Sequence, residues 1–227
     1  MKRISLLALA VSVLALPAMA APPVVPDNGS GTANLPPTPA EYVSPADFHV
    51  KLKNGTVTIA TADLSHQRFL NRIVTSGGLL GGQVEKFNSS LVVSIVGTGP
   101  LAGWSRTLTI PAASETHTAP RTLGDPVQSF DTLMYRIQGQ IVNDPDFSYF
   151  RITAGDANGL NSPGHTTLYK QTNGSWLVNS NFQIKYVAEY KGSSTGRLAG
   201  IQDSFEGSIT MTAVAPGTGT KPKAAGK

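Results

Sequence analysis

From Trp176 to Lys191 apolar and polar residues alternate, with Phe182, Ile184, Tyr186, Ala188 and Tyr190 on one side, and Phe205, Ile209 and Met211 repeat the pattern between Ser204 and Val214. Residues two apart share a face only in a strand, so these runs predict antiparallel β-structure with one packed and one wet face. Further β-type runs cover Gln83 to Val96, Ser105 to Ile110, Val127 to Val142, Phe147 to Ala154 and His165 to Gln171. Turn residues separate them, notably Asn143-Asp144-Pro145-Asp146 and Thr172-Asn173-Gly174, in which Pro presets φ and Asp or Asn bonds nearby amides. The pair Asn54-Gly55 between Phe48–Lys53 and Thr56–Thr61 predicts a hairpin centred on those two residues. The expected fold is therefore all-β, a single antiparallel β-sandwich over residues 46–214.

Some segments break the two-residue rhythm. Asp63 to Ile73 reads either as a short helix, with Asp63 as N-cap and Leu64, Phe69, Leu70 and Ile73 near one face, or as an irregular loop. Pro111 to Leu123 reads as a polar loop. Gly77-Gly78 and Gly81-Gly82 form a flexible corner that lacks the Lys-Ser/Thr pair of a phosphate loop. A weak internal repeat joins Phe87…Gly97, Phe130…Gly139 and Phe182…Gly192, and Leu101-Ala102-Gly103 recurs as Leu198-Ala199-Gly200. Duplication of a long hairpin and chance recurrence both account for it.

Lys2 and Arg3, an apolar run from Ile4 to Leu16 and the small residues before Ala21 have the order of a secretory signal peptide, residues 1–20. The expected product is secreted or periplasmic and has no integral membrane segment. Residues 21–45 carry seven prolines among Gly, Ser and Asn, which predicts an extended linker, and residues 215–227 a disordered basic tail. There is no cysteine, so stability rests on the core or on assembly. The chain has 18 basic and 14 acidic residues, but Lys2, Arg3, Lys221, Lys223 and Lys227 lie outside the expected domain. With Asp27 and Glu41 set aside in the leader, 13 basic and 12 acidic residues remain, so the body is nearly neutral, which argues against a nucleic-acid partner.

No catalytic signature is complete. His49, His66, His117 and His165 have no ligand spacing. His165, opening a strand after Ser162-Pro163-Gly164, is the histidine placed best for a ligand, with a structural role at the strand mouth as the alternative. Trp176, Tyr186 and Tyr190 could form an aromatic sugar platform or fill the core. Asp144, Asp146 and Asp156 are candidate Ca2+ ligands, although the dense acidic loop of such sites is absent and solvated turns use the same residues. No other cofactor is expected.

The blocks Gly124–Thr132 (GDPVQSFDT), Asp144–Phe147 with Arg151–Gly155 (DPDF…RITAG) and Ser162–Leu168 (SPGHTTL) resemble those of an uncharacterised group of secreted bacterial β-rich proteins. The resemblance implies export and a shared architecture. It departs at Asn179–Gln183, where the similar proteins tend to carry aspartates. The functional expectation is a non-catalytic domain acting in surface adhesion, extracellular matrix or self-assembly, with a homo-oligomer or a surface polymer as partner. A carbohydrate-binding module is the alternative, and a hydrolase with an acid pair a weaker one.

Overall fold

The computed structural model describes residues 20–45 and 49–218, so all of the expected signal peptide but Ala20 and most of the tail lie outside the described residues. The strands are β1 (Val24–Val25), β2 (Glu41–Val43), β3 (Val50–Asn54), β4 (Val57–Ser76), β5 (Gln83–Gly97), β6 (Ser105–Thr118), β7 (Val127–Val142), β8 (Phe147–Ala154), β9 (Pro163–Lys170), β10 (Trp176–Gly192) and β11 (Gln202–Val214). The chain is a single all-β domain in which every strand pairing is antiparallel, as expected.

The two layers of the expected sandwich are parts of one sheet that closes on itself. Strands β4 to β7 pair in sequence order. The next position is shared: β8 pairs with Ile137–Val142 of β7 and β9 with Val127–Leu133, and both pair with β10. β10 then pairs with β11, β11 with β2, and β2 with Ser65–Gln67 of β4. The ring leaves few free edges, and edges are where sheets aggregate.

The barrel interior is the core. Along β5, Phe87, Leu91, Val93 and Ile95 point inward, and along β10 Phe182, Ile184, Tyr186, Ala188 and Tyr190 do so, as the alternation predicts. Outward positions such as Lys86, Asn88, Asn179, Gln183 and Lys185 are polar and exposed, the reverse of a barrel that faces lipid. No helix among the described residues is long and apolar enough to cross a membrane.

Four expectations need correction. Asp63 to Ile73 is neither helix nor loop but the middle of β4. Arg68 (φ 59°) and Asn71 (φ 53°) each sit where the β4–β5 register shifts. The extra residues at these bulges put the inward His66 and Phe69 three apart, while Leu70 and Ile73, which completed the expected helical face, are exposed. Pro111 to Thr118 continues β6; Ser114, Thr116 and Thr118 are buried there, and so are Glu115 and His117, so burial has no apolar signature. The β3–β4 turn is centred one residue later, on Gly55-Thr56, because Asn54 pairs with Val57 and the positive φ (60°) belongs to Gly55.

The fourth correction is the leader, which is not an extended linker. β1 pairs with β10, and Val25, Ala33 and Leu35 pack on Phe130, Leu168, Trp176 and Val178 as a second apolar cluster. Thr32 Oγ donates to Gln128 at 2.6 Å, and Gln128 donates to the Gly31 carbonyl at 2.7 Å. Prolines lose little entropy on ordering, so a few close contacts suffice to dock this segment.

The repeated Leu-Ala-Gly loops share their geometry. Gly97 donates to the Trp104 carbonyl and Gly192 to the Ile201 carbonyl, both at 2.8 Å. In each loop the leucine is buried and its backbone crowds the space where a Cβ on the glycine would lie.

Candidate functional site

The leader closes one end of the barrel, and charge is buried there. Extending the β5 alternation backward from Phe87 puts Glu85 on the inward side, paired with Thr116 of β6 and Val74 of β4, at 1% exposure. Arg72 from β4 and Arg121 from the β6–β7 connection supply opposing charge. Burial pushes the Glu85 carboxyl up to about 7, with the two guanidinium groups pulling the other way. Burial also lowers both arginines. Arg72 Nη2 donates to the Pro36 carbonyl of the leader at 3.2 Å, and Arg121 Nη2 donates to Gln83 at 3.0 Å while lying over the Phe130 ring.

Deeper in, the polar groups are neutral. His66 Nε2 lies 2.7 Å from Ser89 Oγ, which lies 3.0 Å from Ser114 Oγ. Burial pushes the His66 imidazole down to about 3. The β4 bulge turns Phe69 inward, where it meets His66, Tyr42 and Phe87 edge-on at 5.1, 6.0 and 5.6 Å. Tyr42 donates to Ser180 at 2.9 Å, and Thr166 Oγ lies 2.8 Å from the same hydroxyl.

From this end rises the β4–β5 hairpin. β2 pairs with β4 only at Ser65–Gln67 and β3 only at Val57–Ala62, so beyond Gln67 no strand among the described residues pairs with that edge of β4. Leu70, Ile73, Val74 and Leu79 are 60, 63, 44 and 63% exposed. The tip is fixed by His117, whose Nδ1 accepts from the Leu79 amide at 3.1 Å, which leaves Nε2 to donate to Glu115 at 3.1 Å. Glu115 also takes a bond from Arg136 at 3.1 Å, and His117 stacks on Tyr135 with ring centroids 4.3 Å apart.

The residues singled out from the sequence are dispersed. Trp176 and Tyr190 are fully buried and Tyr186 is 6% exposed, so they are core and form no platform. Trp176 Nε1 donates to Asp27 of the leader at 2.9 Å, and Tyr190 donates to the Lys53 carbonyl. The carboxylates proposed for calcium do not converge. Asp144 and Asp146 both hold Arg106, at 2.6 and 3.1 Å, whereas Asp156 accepts from the Ser162 amide at 3.1 Å. Among the described residues no three His, Asp or Glu side chains are grouped to hold an ion.

His165 has the most suggestive partners. Its Nδ1 lies 2.9 Å from Asp131 Oδ1 and its Nε2 2.9 Å from Ser129 Oγ, the connectivity of a Ser-His-Asp triad. The array lies on the open outer face of β7 and β9, with the His165 and Asp131 side chains 48 and 76% exposed. Cross-strand polar pairs on a wet face produce the same contacts.

No protein-family model matches the chain, and no curated protein or solved structure is significantly similar to it.

Sequence reasoning missed Glu85, Arg72, Arg121, His66 and the Glu115–His117 pair. Glu85 alone carried a readable signal, its parity with Phe87, Leu91 and Val93.

Proposed function

We propose that the protein is an exported, non-catalytic β-barrel that works by attachment, binding its own copies or a surface polymer through the leader end. The observation that carries this reading is the exposed apolar group Leu70, Ile73, Val74 and Leu79 on a hairpin with one unpaired edge. A ring of hydrogen-bonded strands protects most of the molecule from edge pairing, which concentrates association on this hairpin. The bulges at Arg68 and Asn71 interrupt regular strand addition, so side-chain contact carries the attachment. A sugar platform has less support, because its three aromatic candidates are interior.

Light scattering on the purified chain, together with pull-down on insoluble surface polymers, tests the reading. Wild type is expected to associate or to bind a polymer, and Ile73→Lys with Leu79→Lys to lose that while keeping its circular dichroism. A wild-type chain that stays monomeric and binds no polymer would overturn it.

The Ser129–His165–Asp131 array favours a second reading, hydrolysis of an accessible ester. Ser129 Oγ would attack the carbonyl while His165 Nε2 takes its proton and delivers it to the leaving alcohol; water then releases the acyl group. Turnover of an acetyl ester that Ser129→Ala abolishes would support this reading, and equal rates for the two proteins would remove it.

A further inference from the structure

The leader end holds more hydrogen-bonding capacity than the protein uses. Arg72 and Arg121 each commit Nη2 to a protein acceptor, but Arg72 Nη1 and both Nε and Nη1 of Arg121 are shut off from solvent without a partner. Glu85 Oε2 and Thr132 Oγ are in the same condition. Two other buried atoms among the described residues share it, Arg106 Nε and Arg136 Nε. The first is in an ion pair with Asp146 and the second belongs to the outer Glu115 group. Unmet buried donors are costly, more so when charged, and they concentrate where a ligand belongs.

A small cavity reaches this group through Pro36, whose carbonyl Arg72 holds, and through Thr132, whose hydroxyl is one of the unpartnered atoms; neither arginine lines it directly. Leu35 and Pro36 of the leader cover it, Phe69, Phe87, Met134 and Phe182 form apolar walls, and polar side chains, Thr132, His66 and Ser180 among them, line the rest. With the leader in place the cavity is about 10 Å3, room for a single water. A larger occupant therefore has to displace Leu35 and Pro36. Residues 26–40, which carry that pair, form no strand. The Pro36 carbonyl already sits on Arg72, where one oxygen of a bound carboxylate would sit.

We propose that this is a binding site for a small monocarboxylate with a short apolar tail, held by Arg72 and Arg121 and admitted when Leu35 and Pro36 lift. A carboxylate matches the guanidinium fork. One negative charge balances two arginines against Glu85, whereas a phosphate dianion would meet repulsion from that carboxylate. The apolar walls take the tail. The site is separate from the exposed hairpin side chains, so this proposal and the attachment reading fail independently.

Calorimetric titration of the whole chain with hexanoate, hexanamide and inorganic phosphate tests it. Hexanoate is expected to bind, and hexanamide and phosphate to bind at least tenfold more weakly. Arg72→Gln and Arg121→Gln should each weaken hexanoate at least tenfold. Leu35→Ala keeps both guanidinium groups and loosens the cover, so it should strengthen hexanoate several-fold; it also keeps the test decisive if an arginine variant fails to fold. Equal affinity for hexanamide or phosphate, no hexanoate binding to Leu35→Ala, or unchanged affinity in both arginine variants would overturn the proposal.

Discussion

The two ends of the barrel are closed in different ways. At the far end the loops between consecutive strands fold inward on their own leucines, Leu101 and Leu198, which belong to the same apolar cluster as Phe147, Phe150 and Tyr190. The Tyr190 hydroxyl is met by the Lys53 carbonyl and Arg106 by Asp144 and Asp146. At the leader end a segment remote in sequence supplies the cover, and beneath it lie Glu85, two arginines and His66. The far end is built for stability by apolar packing and by polar groups that are paired with one another. The leader end retains buried charge with unmet bonding capacity, the kind of local inconsistency that marks functional sites.

Core truncation tests the contrast most strongly. Phe147→Ala, at a fully buried position, is expected to cost about 3–5 kcal/mol in denaturant unfolding. Leu35→Ala should cost about 2 kcal/mol, because a cover segment relaxes onto the space it leaves. Equal losses at the two positions would erase the distinction.

Titration separates the ends next. Glu85 is raised in the fold to about 7 from an ordinary value of about 4.3. Its contribution to stability is therefore full below that ordinary value and is lost as pH rises toward 7. His66 is lowered to about 3 from about 6.5, so its contribution is full above 6.5 and is lost as pH falls toward 3. Between about pH 4.5 and 6.5 the two slopes oppose, each at most about 1.4 kcal/mol per pH unit. Glu85→Gln should leave stability that rises with pH across this window, and His66→Gln stability that falls. Thermal unfolding across the window measures both, and identical profiles for the two variants would show that neither group titrates as placed.

The smallest effect belongs to neither end. His165→Ala, on the wet face of β9, should change stability by less than about 0.5 kcal/mol. A larger loss would mean that the Ser129–His165–Asp131 array helps to hold β7 and β9 together.

Strands whose two sides differ in polarity were legible in the sequence: β7 and β8 run between the residues expected, and β10 extends one residue further. What escaped was structure in which burial and polarity part company. Asp63 to Ile73 hid a strand because two bulges shift its inward residues, and Pro111 to Thr118 hid one because Glu115 and His117 are buried on its outer side. The leader looked too poor in large apolar residues to dock, yet Val25, Ala33 and Leu35 were enough once Phe130, Leu168 and Trp176 offered a surface.

The sequence alone determined the antiparallel strands and the single domain, because side-chain period and turn chemistry act between near neighbours. Only the tertiary structure decided that the sheet closes on itself, that the leader covers one end, and that Glu85 is buried within the electrostatic reach of Arg72 and Arg121. Those outcomes depend on contacts between residues far apart in the chain, whose partners no local pattern names.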